Sequence, residues 1–344
     1  MQHEGKSILI VGNFLSASLG TRSVCEDFAE RLADAGWNVI TTSSKKGRIE
    51  RILDMLGTVW SMRHQYRLAS VDVFSGLAFF WAEIIGFVLK RIGKPYILIL
   101  HGGNLPEFSR RWPGRVARLL QSASRVVAPS RYLLENMKSY RSDIILIPNP
   151  IEITRYSFYP RNSARPILIW LRAFHNIYNP PLAVFVMALL NSKHSGFQLL
   201  MGGGDKRDGS FQKTKQQAEL SEVSHQITFS GTIPNKDVPH WLQKGDIFIN
   251  TTNYDNTPVS VLEAMACGLC IVSTNVGGLP FLLHDGKDAL LVPPNDPAAM
   301  VAAIQRILTE PDLAISLSTN GRKLVEQFDW RKIYPLWEDL FKNI

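Results

Sequence analysis

Two doubly wound α/β domains, each built on a parallel sheet, are what this sequence predicts, and three observations carry the expectation. Short runs of Ile, Leu and Val alternate with amphipathic stretches at helical spacing along most of the chain. The alternation is interrupted once by a stiff, helix-breaking segment, Ile147-Pro148-Asn149-Pro150, and then restarts. A length of 344 residues is long for one core and suits two. The expected domains are therefore 1–150 and 151–330, with an aromatic-rich amphipathic helix near 331–344 packing back onto the first.

In the first domain the apolar run 7–12 predicts a buried strand, followed by a Gly/Ser loop and a helix over 21–35 that stops at Gly36. Strands are expected at 38–42, 71–74, 96–100, 125–128 and 144–147, with helices at 78–91, through about 123, and at 131–139. In the second domain strands are expected at 167–171, 198–201, 227–230, 247–250, 270–273 and 289–292. Helices are expected at 181–190, 211–222, 236–244 and 297–309. Ligands of such sheets bind beyond the carboxyl ends of the strands, so a cleft between two facing sheets is the expected site.

Apolar content of 45% and charged content of 20% are those of a globular protein. Polar residues precede the run 8–11, which argues against a secretory signal. The apolar stretch 71–89 contains Asp72, Ser75, Gly76 and Glu83, and a strand followed by a helix fits it better than a membrane span. Three cysteines make no disulfide framework; Cys267 and Cys270 read as small buried residues rather than half a zinc site, and a reducing cytoplasm is expected. Residues 1–150 carry 20 Lys/Arg against 12 Asp/Glu, so the whole net charge of +8 lies in that half. An acidic partner or a solubilising surface both explain it. The stretch 48–67 reads either as a core helix with a solvated basic face or as a peripheral contact with the inner face of a membrane. No nucleic-acid recognition module is visible, and the first strand–helix turn lacks the GxGxxG of a dinucleotide site.

The most informative run is Asp255-Asn256-Thr257-Pro258-Val259-Ser260-Val261-Leu262-Glu263-Ala264-Met265-Ala266-Cys267-Gly268. It reads as a polar loop opening a buried helix, with Thr257 as N-cap, Pro258 at the first helical position and Gly268 as the left-handed stop. Free amides at such a start, with the positive end of the helix dipole, seat an anion. Glu263 leans back toward that end, and Asp255 precedes it. Carboxylates are poor phosphate ligands but good acceptors for sugar hydroxyls, so the run suggests a nucleotide-sugar site.

With these pieces in place the chain resembles the glycosyltransferases of family 4 and their GT-B fold of two Rossmann-like domains facing across a cleft. Asp255-x7-Glu263 resembles the family's Glu-x7-Glu motif, and Glu263-Ala-Met-Ala-Cys-Gly268 matches its helix closely. Val276-Gly277-Gly278-Leu279-Pro280, the run from Asp285 to Pro293 and the segment at Ile147-Pro148-Asn149-Pro150 resemble family segments in the same order. The resemblance implies transfer of a sugar from a UDP- or GDP-sugar to an acceptor hydroxyl, with retention, in cell-surface polysaccharide or glycolipid assembly. It implies a carbohydrate, lipid-linked or other acceptor, and no cofactor beyond the co-substrate. No Asp-x-Asp occurs, so no metal is expected.

By the same resemblance Glu263 binds the ribose diol, Asp255 the sugar hydroxyls, and the backbone of Asn256, Thr257, Pro258, Val259 and Ser260 the diphosphate. Arg172, at the end of strand 167–171, faces the diphosphate too. The family's Lys five or six residues later is absent; Ile177 and Tyr178 stand there. Tyr178, Asn179 and Lys206 are the candidates to share its work, and Ile233 the candidate to meet the nucleobase. His101, before Gly102-Gly103, is expected to reach the transferred sugar, and Gly20, Thr21 and Arg22 to hold the acceptor. The absent Lys supports one alternative, a nucleotide-sugar-binding protein with impaired catalysis.

Overall fold

The computed structural model describes residues 6–15, 23–192 and 196–344. The chain divides into two compact units, Met1–Asn149 with Leu336–Ile344, and Pro150–Pro335.

The first unit runs β1 (Ser7–Val11), α1 (Val24–Asp34), β2 (Asn38–Thr42), α2 (Arg48–Ser61), β3 (Leu68–Val73), α3 (Leu77–Arg91), β4 (Tyr96–Leu100), α4 (Leu105–Arg111), α5 (Pro113–Ser122), β5 (Arg125–Ala128), α6 (Arg131–Met137) and β6 (Ile145–Leu146). Its six strands are parallel in the order β2-β1-β3-β4-β5-β6. Three departures from expectation have local causes. The helix expected from 21 begins at Val24, because Ser23 and Glu26 form a reciprocal capping box. The helix expected to run through 123 is two, since Pro113 starts a new one immediately after Trp112. Strand β3 begins at Leu68 rather than 71, because Leu68, Ala69 and Ser70 pair with Ile8, Leu9 and Ile10 of β1. Asp72 stands one residue before the end of that strand, and the stretch 71–89 is strand then helix.

The second unit runs β7 (Ile167–Leu171), α7 (Pro180–Asn191), β8 (Gln198–Gly202), α8 (Ser210–Leu220), β9 (Ile227–Gly231), α9 (Val238–Leu242), β10 (Ile247–Asn250), α10 (Val259–Cys267), β11 (Cys270–Thr274), α11 (Leu279–Leu282), β12 (Leu290–Val292), α12 (Pro297–Thr309) and α13 (Pro311–Val325), and enters α14 (Trp330–Lys342). Its parallel sheet has the order β12-β11-β10-β7-β8-β9. Helix α13 was not expected. It packs on α10 and β11, burying Ala314, Leu317, Ser318 and Val325. The end of α14 belongs to the first unit, where Trp337 lies 4.6 Å from Phe28 and Phe341 lies 4.7 Å from Trp37, ring centre to ring centre.

The two strand orders place the candidate residues. A doubly wound sheet opens a crevice where the winding reverses, beyond the carboxyl ends of the two central strands. In the first sheet that point lies between β1 and β3, the strands that lead to Gly12 and end beside Asp72. In the second it lies between β7 and β10, which lead to Arg172 and to the loop carrying Asp255.

Candidate functional site

Helix α10 starts one residue later than its sequence suggests. Pro258, extended at ψ 115°, is the N-cap in place of Thr257, and Val259 is the first helical residue. The carbonyl of Pro258 accepts from Val261 and Leu262, and no side chain caps the end. Among the described residues no acceptor meets the N–H of Val259 or Ser260. The hydroxyl of Ser260 is buried with no hydrogen-bond partner. Buried polar groups left this way are uncommon and mark a place where something else is meant to bind. Gly268 ends the helix in the left-handed conformation, as expected.

Arg172 sits at the end of β7, across the switch point. Its N–H donates to Gly202 O at 3.1 Å, and Gly203, at φ +146°, lies so close that any Cβ would overlap the Arg172 carbonyl oxygen. That contact explains why residue 203 is glycine. The guanidinium pairs with the Asp255 carboxylate and lies 4.1 Å from the centre of the Tyr178 ring. Its Nε is buried and unpartnered. Burial draws the Arg172 pKa below its ordinary value, while Tyr178 and Glu263 act to raise it. The cation therefore sits in a dry setting, where its field on an incoming anion is strong.

The loop holding Asp255 is built to stay put. Asp255 Oδ1 accepts from Asn256 N at 2.8 Å, and Asp255 O accepts from Gly278 N at 2.9 Å. A Cβ on Gly277 would overlap Asp255 O, and one on Gly278 would overlap Asn256 O, so both residues of that pair must be glycine. Thr251 Oγ1 donates to Tyr178 O at 2.7 Å and Thr252 Oγ1 to Ile177 O at 3.1 Å, tying this loop to the turn that carries Tyr178. Sequence reading did not single out Thr251 or Thr252.

Glu263 lies a turn into α10, where its Oε1 accepts a 2.7 Å hydrogen bond from the hydroxyl of Tyr156. Tyr156 is 4% exposed, and burial, with the Glu263 charge, pushes its phenol pKa well up, so it stays a donor. Arg322 holds the backbone behind the pair, donating to Tyr156 O at 3.0 Å and Ala266 O at 2.7 Å. No local pattern marks Tyr156, which is 107 residues away in sequence.

The remaining candidates are more scattered. Lys206 is exposed just beyond the Phe174–Asp205 bridge, its N–H on Phe174 O at 3.1 Å. Asn179, at φ +46°, caps α7, and its amide donates to Asn295 Oδ1 at 2.8 Å, which makes it a joint between loops. The Ile233 side chain packs against Gly202. Asn256 and Pro258 are buried, Thr257 is half-buried and Val259 is exposed.

In the first unit His101 follows β4, stacked at 5.0 Å and 18° on Phe74, with Nε2 3.0 Å from Asp72 Oδ1. A carboxylate there is placed to accept a hydrogen bond from Nε2–H. Asp72 was not singled out as a site residue in the sequence. Between α2 and α3 a shallow recess is lined by Gly12, Asn13, Asp72, Phe74 and Trp81. Gly20, Thr21 and Arg22 lie outside the described residues.

Solved structures with the same architecture are glycosyltransferases of the GT-B class. Sucrose-phosphate synthase from Thermosynechococcus elongatus superposes with a TM-score of 0.82 at 20% identity, covering 98% of both chains. HepE from Anabaena, solved with UDP and glucose, gives 0.77 at 15% identity over 98% of this chain and all of that one. The chain is an α/β protein of that fold class.

Its family follows from sequence. A model described as Glycosyltransferase Family 4 matches residues 20–155, and one described as Glycosyl transferases group 1 matches residues 157–324. The chain belongs to these glycosyltransferases. Among curated relatives, D-inositol 3-phosphate glycosyltransferase from Acidothermus cellulolyticus is 25% identical over 271 residues, 73% of this chain and 60% of that protein. The 2-deoxystreptamine N-acetyl-D-glucosaminyltransferase from Niallia circulans is 26% identical over 146 residues, 42% of this chain and 36% of that protein. The chain spans 60–65% of the length of the first curated relatives it matches.

Proposed function

We propose that this chain transfers a sugar from a nucleoside diphosphate sugar, UDP- or GDP-linked, to an acceptor hydroxyl, with retention of anomeric configuration. The observation that carries the reading is the convergence at one switch point of the dry Arg172 cation, the unpartnered start of α10 and the Glu263 carboxylate. The amides of Val259 and Ser260, with the Ser260 hydroxyl, seat the diphosphate. Glu263 accepts from the ribose hydroxyls. Asp255, shared with Arg172 before the donor arrives, accepts from a hydroxyl of the sugar. HepE has been solved with UDP-glucose, which supports a donor of this class.

In the reaction the bond from the anomeric carbon to the diphosphate breaks and the bond to the acceptor oxygen forms. The acceptor proton passes to the departing phosphate, and Arg172 with the helix start takes up the leaving charge. No divalent cation is needed, so transfer is expected to survive EDTA. The acceptor, carbohydrate or lipid-linked, is assigned to the first unit, where His101 and Asp72 stand beside the recess. Surface polysaccharide or glycolipid assembly at the cytoplasmic face of a membrane is the setting this reading favours.

Titration calorimetry of UDP and GDP against the wild type and Glu263→Ala tests the donor site; unchanged affinity in the variant would overturn it. A specific observation favours a second reading: Asp255 and Tyr178 already occupy Arg172, as a binding protein without catalysis would allow. Release of labelled sugar from the donor, by transfer or hydrolysis, separates the two.

A further inference from the structure

Among the described residues, half of the large apolar side chains that stand exposed belong to one layer of the first unit. On α2 these are Ile49, Leu53 and Trp60, at 76%, 63% and 56% exposure. On α3 they are Leu77, Phe80 and Phe87, at 70%, 52% and 61%, and before α5 it is Trp112, at 51%. The topology makes the layer continuous. From β2 the chain moves steadily to β3, β4 and β5. Right-handed crossovers in one direction set the connecting helices on one face of the sheet. Helix α2 packs on α3, and α3 on α5. The inward stripe of α2, Met55 and Val59, is buried in the core, and the exposed side chains point away from it. Helix α2 therefore carries apolar residues on two sides, one more than its place in the core requires.

Each exposed aromatic ring carries a guanidinium. Arg63 lies 4.8 Å from the Trp60 ring centre, Arg91 lies 5.4 Å from Phe87, and Arg115 lies 5.0 Å from Phe80 and 5.8 Å from Trp112. Residues 48–122 hold 11 Lys/Arg against 5 Asp/Glu, a net of +6. Glu83 pairs with Arg115 at 3.1 Å, and Glu107 lies 3.4 Å from Arg110 and 3.3 Å from Arg111. Among the described residues no acid pairs with Arg63 or Arg91.

We propose that this helical layer docks the protein on an anionic lipid bilayer, with Leu53, Trp60, Phe80 and Phe87 entering the boundary between headgroups and acyl chains and Arg63 and Arg91 on lipid phosphates. Ring and cation together match an interface that is apolar below and negative above. A second copy of the chain fits worse, since it would set the same positive face against itself. No described helix is long and apolar enough to cross a membrane, so the layer lies on the surface. The starts of α2 and α3 stand at the carboxyl edge of the sheet, the edge that also carries Asp72 and His101. Docking there brings a lipid-borne acceptor to those residues, which rests on the transferase reading. Docking itself does not.

The test is co-sedimentation of the full chain with vesicles, without sugar nucleotide, so that its outcome is separate from that of the donor assay. Vesicles of phosphatidylcholine with phosphatidylglycerol should pellet the protein, and phosphatidylcholine alone should pellet far less. Binding should weaken as salt rises. Leu53→Ser with Trp60→Ser, and separately Arg63→Glu with Arg91→Glu, should each lower the partition coefficient about tenfold or more. Should the apolar variant misfold, as a thermal melt would reveal, the charge variant carries the test alone. Equal binding to neutral vesicles, unchanged binding in a folded variant, or no vesicle binding beside a self-association that the variants dissolve would overturn the proposal.

Discussion

The hydroxyl of Tyr156 donates a 2.7 Å hydrogen bond to the carboxylate of Glu263, fixing where that carboxylate points before any ligand arrives. Tyr156 keeps its proton because burial, with Glu263 beside it, raises its pKa. Tyr156→Phe removes one donor and leaves the ring in place. Losing such a bond to a charged partner costs about 1–2 kcal/mol, so nucleotide affinity should fall roughly five- to thirtyfold while the fold persists. Calorimetry with UDP or GDP checks this; an affinity equal to wild type would mean that Glu263 is positioned by other means.

Arg172 is expected to act as a planar fork and not as a bare charge. It pairs with Asp255, stacks on Tyr178, and has an Nε still open. Arg172→Lys keeps the charge and loses the stack and the fork. If Arg172 stabilises the leaving diphosphate, both Arg172→Lys and Arg172→Ala should lower kcat/KM by roughly 10²–10³. Near-full activity in the lysine variant would show that position alone suffices.

Gly203 and Gly209 both have positive φ, at +146° and +87°, but only Gly203 has a carbonyl where a Cβ would go. Gly209→Ala should cost about 1 kcal/mol of backbone strain. Gly203→Ala should cost at least about 2 kcal/mol more, since the Arg172 backbone must also move. Urea midpoints of the two variants measure the difference, and equal midpoints would contradict the contact.

Cys25, Cys267 and Cys270 are buried, and burial pushes each thiol from an ordinary value of 9.0 up to about 12, aided at Cys25 by the charge of Asp72 and at Cys267 by that of Glu263. A raised native pKa of this kind stabilises the fold fully below the unfolded value, and that contribution is lost as pH rises toward 12. Stability should therefore decline from about pH 9 upward, by up to about 1.4 kcal/mol per pH unit for each thiol that ionises only when unfolded. At pH 8 a disulfide reagent should titrate no thiol until urea is added; rapid labelling of the native chain would refute this burial.

The strands were the most legible part of the sequence. Asn38–Thr42, Tyr96–Leu100, Arg125–Ala128, Ile167–Leu171 and Ile247–Asn250 fall where the sequence places them, because their runs are bounded sharply by polar or turn residues. Helix α13 was hidden for the opposite reason. Its Ser318-Thr319-Asn320-Gly321 reads as a loop, yet Ser318 Oγ donates to Gly268 O at 2.6 Å and a Cβ on Gly321 would lie 3.3 Å from Met265. Small polar residues there let α13 approach α10 closely, and only the partner reveals it. The N-cap was misplaced by one residue because Thr257 has the better capping side chain, whereas the backbone turns at Pro258. Asp255 and Glu263 could be singled out from their spacing in one motif, and Arg172 from its place at the end of a strand. Tyr156 could not, nor could Asp72 as a partner of His101, because each meets its partner only through the folded chain.

The pair Gly277 and Gly278 sets a boundary on how this protein can be redesigned. Both lie flush on the carbonyls of residues 255 and 256, so on this side the turn rests on backbone surface. Side-chain substitutions at 253, 254 and 257 leave that glycine contact, the Thr251 and Thr252 ties and Asp255 in place, and can alter what is recognised. A single methyl group at 277 or 278 would shift the whole ledge, so a mutagenesis library aimed at new specificity should randomise the former positions and keep the latter pair bare.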